Sequence, residues 1–136
     1  MGTDHGYLPI HLALQGSAQK IYASDVAAAP LDAARRNAER YGVSDRIEFL
    51  LTDGIDATLA PELDCVIVAG MGGETIVGIL DRASGSLRVG TQFVLQPQTK
   101  ITTLLDFLAA NGYTEPLLNE VSEGRRKYTI VTTQKA

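Results

Sequence analysis

Tryptophan is absent from these 136 residues, and cysteine occurs once, as Cys65. A lone thiol excludes an internal disulfide, and its place in the apolar run Cys65-Val66-Ile67-Val68 predicts a packed, unreactive side chain. Histidine is scarce as well. His5 and His11 stand six positions apart with no matching cluster of carboxylates or thiols, so no metal site is expected. No apolar stretch approaches the roughly 20 residues that span a bilayer. The opening residues also lack the basic region, apolar segment and small-residue cleavage pattern of a secretory signal. These absences point to a cytoplasmic protein without membrane attachment. Positive charge is in deficit too, with 12 Lys and Arg against 16 Asp and Glu. The net charge of −4 excludes broad electrostatic adhesion to nucleic acid by this chain alone.

What is present is a chain 45% hydrophobic and 21% charged, with no linker, repeat or low-complexity segment, which reads as a single domain over residues 1–136. Its organising stretch is Leu63 to Glu74. Val66-Ile67-Val68-Ala69 has the unbroken apolar character of a strand buried on both faces, and it stops at Gly70-Met71-Gly72-Gly73, with Glu74 opening a helical pattern. Three glycines in four residues favour a turn whose bare backbone approaches a ligand over an ordinary tight turn.

Around that stretch the periodicity alternates between helix and strand. Leu8, Ile10, Leu12 and Leu14, with Pro9 early, predict a helix to Gln15, closed by Gly16-Ser17. A strand over Lys20–Asp25 leads into a helix begun near Pro30, with Leu31, Ala34, Ala38 and Tyr41 on its apolar face and Gly42 as its cap. Arg46–Leu51 is a third strand, followed by Thr52-Asp53-Gly54. After the central strand, Ile76, Val77, Ile79 and Leu80 mark a helix, Phe93-Val94-Leu95 a strand, and Leu104, Leu105, Phe107 and Leu108 another helix. Two closing runs, around Leu117-Leu118 and over Tyr128–Thr133, flank the turn-like Glu123-Gly124-Arg125-Arg126 and predict an antiparallel pair. The rhythm favours a mainly parallel α/β sheet.

In such sheets ligands bind beyond the carboxyl ends of the strands. Asp25, Asp53, Gly70 to Gly73, Gln96-Pro97 and the opening Gly2-Thr3-Asp4-His5-Gly6 fall at those ends. Asp25 can accept both hydroxyls of a ribose or cap the following helix; Asp53-Gly54 can hold an adenine amino group or form a plain Asp-Gly turn. His5 reads equally as a proton acceptor or a turn histidine, and Tyr7 as a stacking or a packing ring. His11 lies within a helix and reads as a surface or core-edge residue rather than a catalyst. Arg125-Arg126-Lys127, the one compact basic run, reads first as a solvated hairpin turn, with contact to RNA phosphate as the alternative.

Three segments, Gly2-Thr3-Asp4-His5-Gly6-Tyr7-Leu8-Pro9, Ala69-Gly70-Met71-Gly72-Gly73 and Leu95-Gln96-Pro97, resemble the signatures of the bacterial tRNA (adenine(22)-N1)-methyltransferase family. The resemblance runs in the right order over essentially the whole chain. It implies a Rossmann-like class I S-adenosylmethionine domain, mainly parallel with a C-terminal antiparallel strand pair, and tRNA as partner. It also implies that the family's first strand and its helical C-terminal extension are missing here, as in a partial domain. By resemblance, Gly2, Asp4 and Gly6 lie by the methionine end of S-adenosylmethionine, Asp25 by its ribose, and Asp53 and Gly54 by its adenine. Ala69 and Gly70 complete the cofactor set, Asp4 and His5 are the catalytic candidates, and Tyr7, Met71, Gly72, Gln96 and Pro97 border the target base. Ala29, Gln98 and Leu105 depart from the family's usual glycine, asparagine and arginine. Two rival readings are a catalytically incomplete module that binds S-adenosylmethionine or a nucleotide, and a nicotinamide-dependent dehydrogenase. The latter is disfavoured by Asp4, whose carboxylate stands where a pyrophosphate needs glycine.

Overall fold

The structure, a computed structural model, describes every residue of the chain except Asp4 and Ser17. The chain forms two compact units, Met1–Gly54 and Ile55–Ala136, each with its own sheet.

In the first unit, helix α1 (Tyr7–Gln15) is followed by strand β1 (Ile21–Asp25), helix α2 (Ala28–Arg40) and strand β2 (Ile47–Leu51). The two strands are parallel, in register from Ile21 opposite Ile47 to Asp25 opposite Leu51, which makes α2 the crossover of a β-α-β unit. Local chemistry sets the boundaries. Pro9 and Pro30 occupy the first turns of their helices, where a missing N–H breaks no helical bond. Gly16 closes α1 at φ 68°, and Gly42 follows α2 at φ 72°. Leu31, Ala34 and Ala38 are buried at three-to-four spacing while Arg35, Arg36, Glu39 and Arg40 face solvent. Tyr41, expected on the buried stripe, instead caps the helix and is 53% exposed, because the turn that would carry it inward has ended. The small core joins Ile10 and Ala13 to Ile21, Ala23, Ala38, Val43 and Ile47. Leu8 and Leu14 stay exposed, since apolar residues at every second position cannot all fall on one face of a 3.6-residue helix.

The second unit runs β3 (Cys65–Met71), α3 (Gly73–Ala83), β4 (Gln92–Pro97), α4 (Ile101–Ala110), β5 (Leu117–Glu123) and β6 (Arg126–Gln134). Its sheet order is β3-β4-β6-β5, with β3 parallel to β4 and β6 antiparallel to both its neighbours. The final strand is thus inserted between β4 and β5, an order the turn at Gly124-Arg125 permits but periodicity does not specify. Ile76, Leu80, Phe93, Leu95, Leu104, Leu108 and Val131 are fully buried, and Phe93 meets Tyr113 edge-to-face at 5.5 Å between ring centroids.

Three expectations about the central strand are corrected. Burial in β3 alternates, complete at Val66 and Val68 and partial at Ile67 and Ala69, so it is not enclosed on both faces along its length. The same alternation leaves Cys65 exposed rather than packed, although partial desolvation and the adjacent Asp64 carboxylate push its thiol pKa up and keep it protonated. The strand also does not stop at Gly70. It continues to Met71 through a bulge in which Ala69 opposes Gln96 and Met71 opposes Pro97, with Gly70 the extra residue at φ 73°. Among the described residues no helix is long and apolar enough to cross a membrane.

Candidate functional site

In the first unit, the opening turn is strapped to the carboxyl end of β1. The Thr3 N–H donates to the Ser24 carbonyl at 3.1 Å, and the Gly6 N–H donates to the Thr3 carbonyl at 2.8 Å. Gly2 and Gly6 adopt left-handed φ values of 68° and 77°. At Gly6 the reason extends beyond the turn: a Cβ there would lie 2.8 Å from Ala34 Cβ on α2, so only glycine lets α2 approach. Asn37, also on α2, donates through Nδ2 to the His5 carbonyl at 2.9 Å. The His5 ring lies 5.6 Å from that of Tyr7, and both side chains are exposed, Tyr7 by 65%. Asp4, the other catalytic candidate, lies outside the described residues.

The same sheet edge gathers the two carboxylates. Asp25 Oδ1 accepts the Ala27 N–H at 3.0 Å, an Asx turn ahead of α2; the N-cap of α2 is Ala27 and no side chain caps it, so the helix-capping alternative for Asp25 is not realised. The Asp25 carbonyl accepts the Thr52 N–H at 3.0 Å, which draws the segment after β2 alongside and sets Asp53 at the same edge. Asp53 is exposed and Gly54 buried at φ 88°, where the chain bends after β2. Sequence reasoning passed over Thr3. Its hydroxyl is buried with no hydrogen-bond partner among the described residues, directly beside these groups. Its only signal was a polar side chain inside a glycine-bounded turn.

In the second unit, the segments after β3 and β4 are stitched together. The Gln98 N–H donates to the Met71 carbonyl at 2.8 Å, and the Gly73 N–H donates to the Thr99 carbonyl at 2.7 Å. Across the same ends, Gln96 Oε1 accepts the Gly70 N–H at 2.8 Å. The glycines now have separate reasons. A Cβ at Gly73 would lie 2.7 Å from the Thr99 carbonyl oxygen and closer still to that of Lys100, and one at Gly72 would lie 3.0 Å from Thr99 Oγ1. These two admit the chain's own backbone. At Gly70 the nearest atom to such a Cβ is Gln98 Nε2 at 3.8 Å, an ordinary contact, so here the space does not require glycine and the left-handed φ does. Lys100, in the left-handed region at φ 56°, carries the strain of the corner, and nothing in its residue type announces that. Ala69, Met71, Gly72 and Gln96 are half-buried and Pro97 buried, all at the carboxyl ends of β3 and β4.

The donor set fits an adenosine-bearing cofactor at the first unit. Carboxylates suit ribose hydroxyls and an adenine amino group, an unpartnered buried hydroxyl is available at Thr3, and the left-handed Gly2 leaves its backbone exposed. Among the described residues no group of three or more His, Cys, Asp and Glu side chains comes together.

A family model described as a methyltransferase domain matches residues 1–131. The chain is 30% identical to the tRNA (adenine(22)-N(1))-methyltransferase of Bacillus subtilis, over 98% of its own length and 56% of the relative's. Among solved structures it superposes on the B. subtilis m1A22 tRNA methyltransferase TrmK with a TM-score of 0.90 at 26% identity, covering all of this chain and 58% of that one. It superposes on M. capricolum TrmK, solved with S-adenosyl-homocysteine, with a TM-score of 0.85 at 26% identity, covering 98% of this chain and 59% of that one. The chain therefore spans little more than half the length of these relatives, and its α/β fold is the Rossmann-like one they share.

Proposed function

We propose, from the premise that this chain belongs to the methyltransferase-domain family, that it forms a single S-adenosylmethionine-dependent domain over residues 1–136 and methylates N1 of an adenine in tRNA, at position 22 as its relatives' names state. The observation that carries this reading is the edge of the β1/β2 pair, where Asp25, Asp53 and the strapped Gly2–Gly6 turn stand together. A cytoplasmic setting follows from the tRNA substrate.

When bound, S-adenosylmethionine supplies a methyl group already activated by its sulfonium. Asp25 keeps one carboxylate oxygen for the ribose hydroxyls while the other holds the Asx turn, so ligand and helix start share one side chain. Asp53 takes the adenine amino group, and the exposed backbone of Gly2 is left for the methionine end of the cofactor. Met71, Gly72, Gln96 and Pro97 border the target base. The N1 lone pair is already nucleophilic at neutral pH, so alignment is the main contribution, on the order of 7 kcal/mol or more. The methylated ring is cationic until its amino group loses a proton, and Asp4 or His5 accepts it.

The protein carrying this chain should transfer label from S-adenosylmethionine to adenine in tRNA, and Asp4→Ala should abolish turnover. Cofactor binding without any methyl transfer would replace this reading with that of a binding module. Normal turnover in Asp4→Ala would remove Asp4 from the mechanism.

A further inference from the structure

The basic run near the C-terminus does not simply point into solvent. Arg126 and Lys127 open β6 beside the corner after β4, and with Gln96, Pro97, Lys100 and Tyr128 they line a cleft of about 340 Å³ in the second unit. That volume is at the low end of small-ligand sites, roughly 300 to 1,000 Å³, and suits about one nucleotide. No acidic residue lines it. Lys20 pairs with Glu48, Arg35 with Asp32 and Arg88 with Asp64, and Lys100, Arg126 and Lys127 belong to none of these pairs. Glu123 stands opposite Arg126 across the hairpin but outside the cleft.

We propose that this cleft receives one nucleotide of an RNA strand, its phosphate held by Lys100, Arg126 and Lys127 and its sugar or base against the Tyr128 ring. The inference rests on the tRNA reading above and assigns a place for the backbone that reading left open. Chemistry favours RNA over a free small anion. The cations are exposed, as suits a polymer laid across them, and among the described residues lining the cleft no charged group is buried to define a closed anion pocket. The chain as a whole is acidic, so any attraction for a polyanion must be local, and three cations in one cleft supply it. Gln96 and Pro97 belong both to this cleft and to the residues bordering the target base, so the phosphate held here lies next to the modified nucleotide. Lys100 is brought to the cleft by the left-handed corner that Gly73 admits, which gives that strained geometry a use.

The test is the salt dependence of tRNA binding by the protein carrying this chain, compared with the triple variant Lys100→Gln/Arg126→Gln/Lys127→Gln, with S-adenosylmethionine affinity measured by calorimetry on both. Each phosphate contact contributes about 0.7 to 0.9 to the slope of log K against log salt, so the variant should lose about two units of slope. Its cofactor affinity should be unchanged. A charge-retaining variant, Lys100→Arg/Arg126→Lys/Lys127→Arg, should keep the parent slope, and Arg126→Gln/Lys127→Gln should lose about two-thirds of the triple variant's change. An unaltered slope in either neutralised protein overturns the cleft while leaving methyl transfer standing. A parent that binds RNA through these cations yet transfers no methyl group retains the cleft and overturns the enzymatic reading.

Discussion

At the carboxyl end of the two-stranded sheet the chain displays carboxylates and a buried hydroxyl; at the carboxyl ends of β3 and β4 it displays amides, bare backbone and cations. The contrast follows from what each edge would meet. Ribose hydroxyls and an adenine amino group are donors, matched by Asp25 and Asp53, whereas a neutral base and a phosphate need amides and positive charge. Both edges are built alike underneath. In each, a glycine lets a neighbouring element approach the loop, Gly6 beneath Ala34 of α2 and Gly73 beneath the Thr99-Lys100 corner. In each, a side-chain amide then fixes a loop backbone group.

The largest effect expected from breaking this parallel is at Gly73. Gly73→Ala drives a Cβ into two backbone carbonyls that no side-chain rotation can clear, so the loss should reach the upper end of the roughly 1 to 3 kcal/mol typical of overpacking. A fall in melting midpoint of roughly 10 °C corresponds to that. Gly70→Ala, with 3.8 Å of room but a left-handed φ, should cost only about 1 to 2 kcal/mol. Equal destabilisation by the two would mean that the corner yields, and that Gly73 is not what positions Lys100.

Next in size is Asp25→Asn. The amide oxygen can still accept the Ala27 N–H, so the melting midpoint should hold while the charge offered to ribose is lost. Hydrogen bonds to charged groups contribute about 1.5 to 3 kcal/mol, so S-adenosylmethionine affinity should fall roughly 10- to 100-fold with tRNA affinity unchanged. The two edges have separate tasks only if the second half of that outcome holds. A midpoint that drops while cofactor affinity stays would leave Asp25 as an Asx-turn residue and nothing more.

Much of this was legible in the residues. The order of helices and strands follows from periodicity and from Gly16, Gly42 and Pro30, and Asp25 and Asp53 could be placed at strand ends because a strand's end is written locally. What could not be read was anything decided by a distant partner. The insertion of β6 between β4 and β5 is a pairing of segments far apart in the chain. The glycine-rich stretch looked like one ligand loop, yet Gly72 and Gly73 answer to Thr99 and Lys100, and only Gly70 is left facing outward. Cys65 was misplaced for a simpler reason: an apolar run does not reveal where an alternating burial pattern begins. The basic run is the exposed hairpin turn it reads as, and only its nearness to Gln96 and Lys100 was hidden, because that depends on the same insertion.

The smallest effects sharpen the comparison most evenly, because the two edges carry equivalent tethers. Asn37 Nδ2 holds the His5 carbonyl at 2.9 Å, and Gln96 Oε1 holds the Gly70 N–H at 2.8 Å; each is a neutral, exposed bond from a side chain to a loop backbone. Replacing either residue by alanine should cost about 0.5 to 1.5 kcal/mol, a similar shift in melting midpoint for both. The functional consequences should diverge. Asn37→Ala loosens the opening turn that carries Gly2 to Gly6, so the Kd for S-adenosylmethionine should rise severalfold with the KM for tRNA unchanged. Gln96→Ala frees the bulge at Gly70 and withdraws an amide from the proposed base site, so the KM for tRNA should rise while cofactor binding holds. Matched losses of stability with crossed functional effects would establish two edges of common construction and different ligands; the same functional defect from both changes would mean that a single ligand engages both loops.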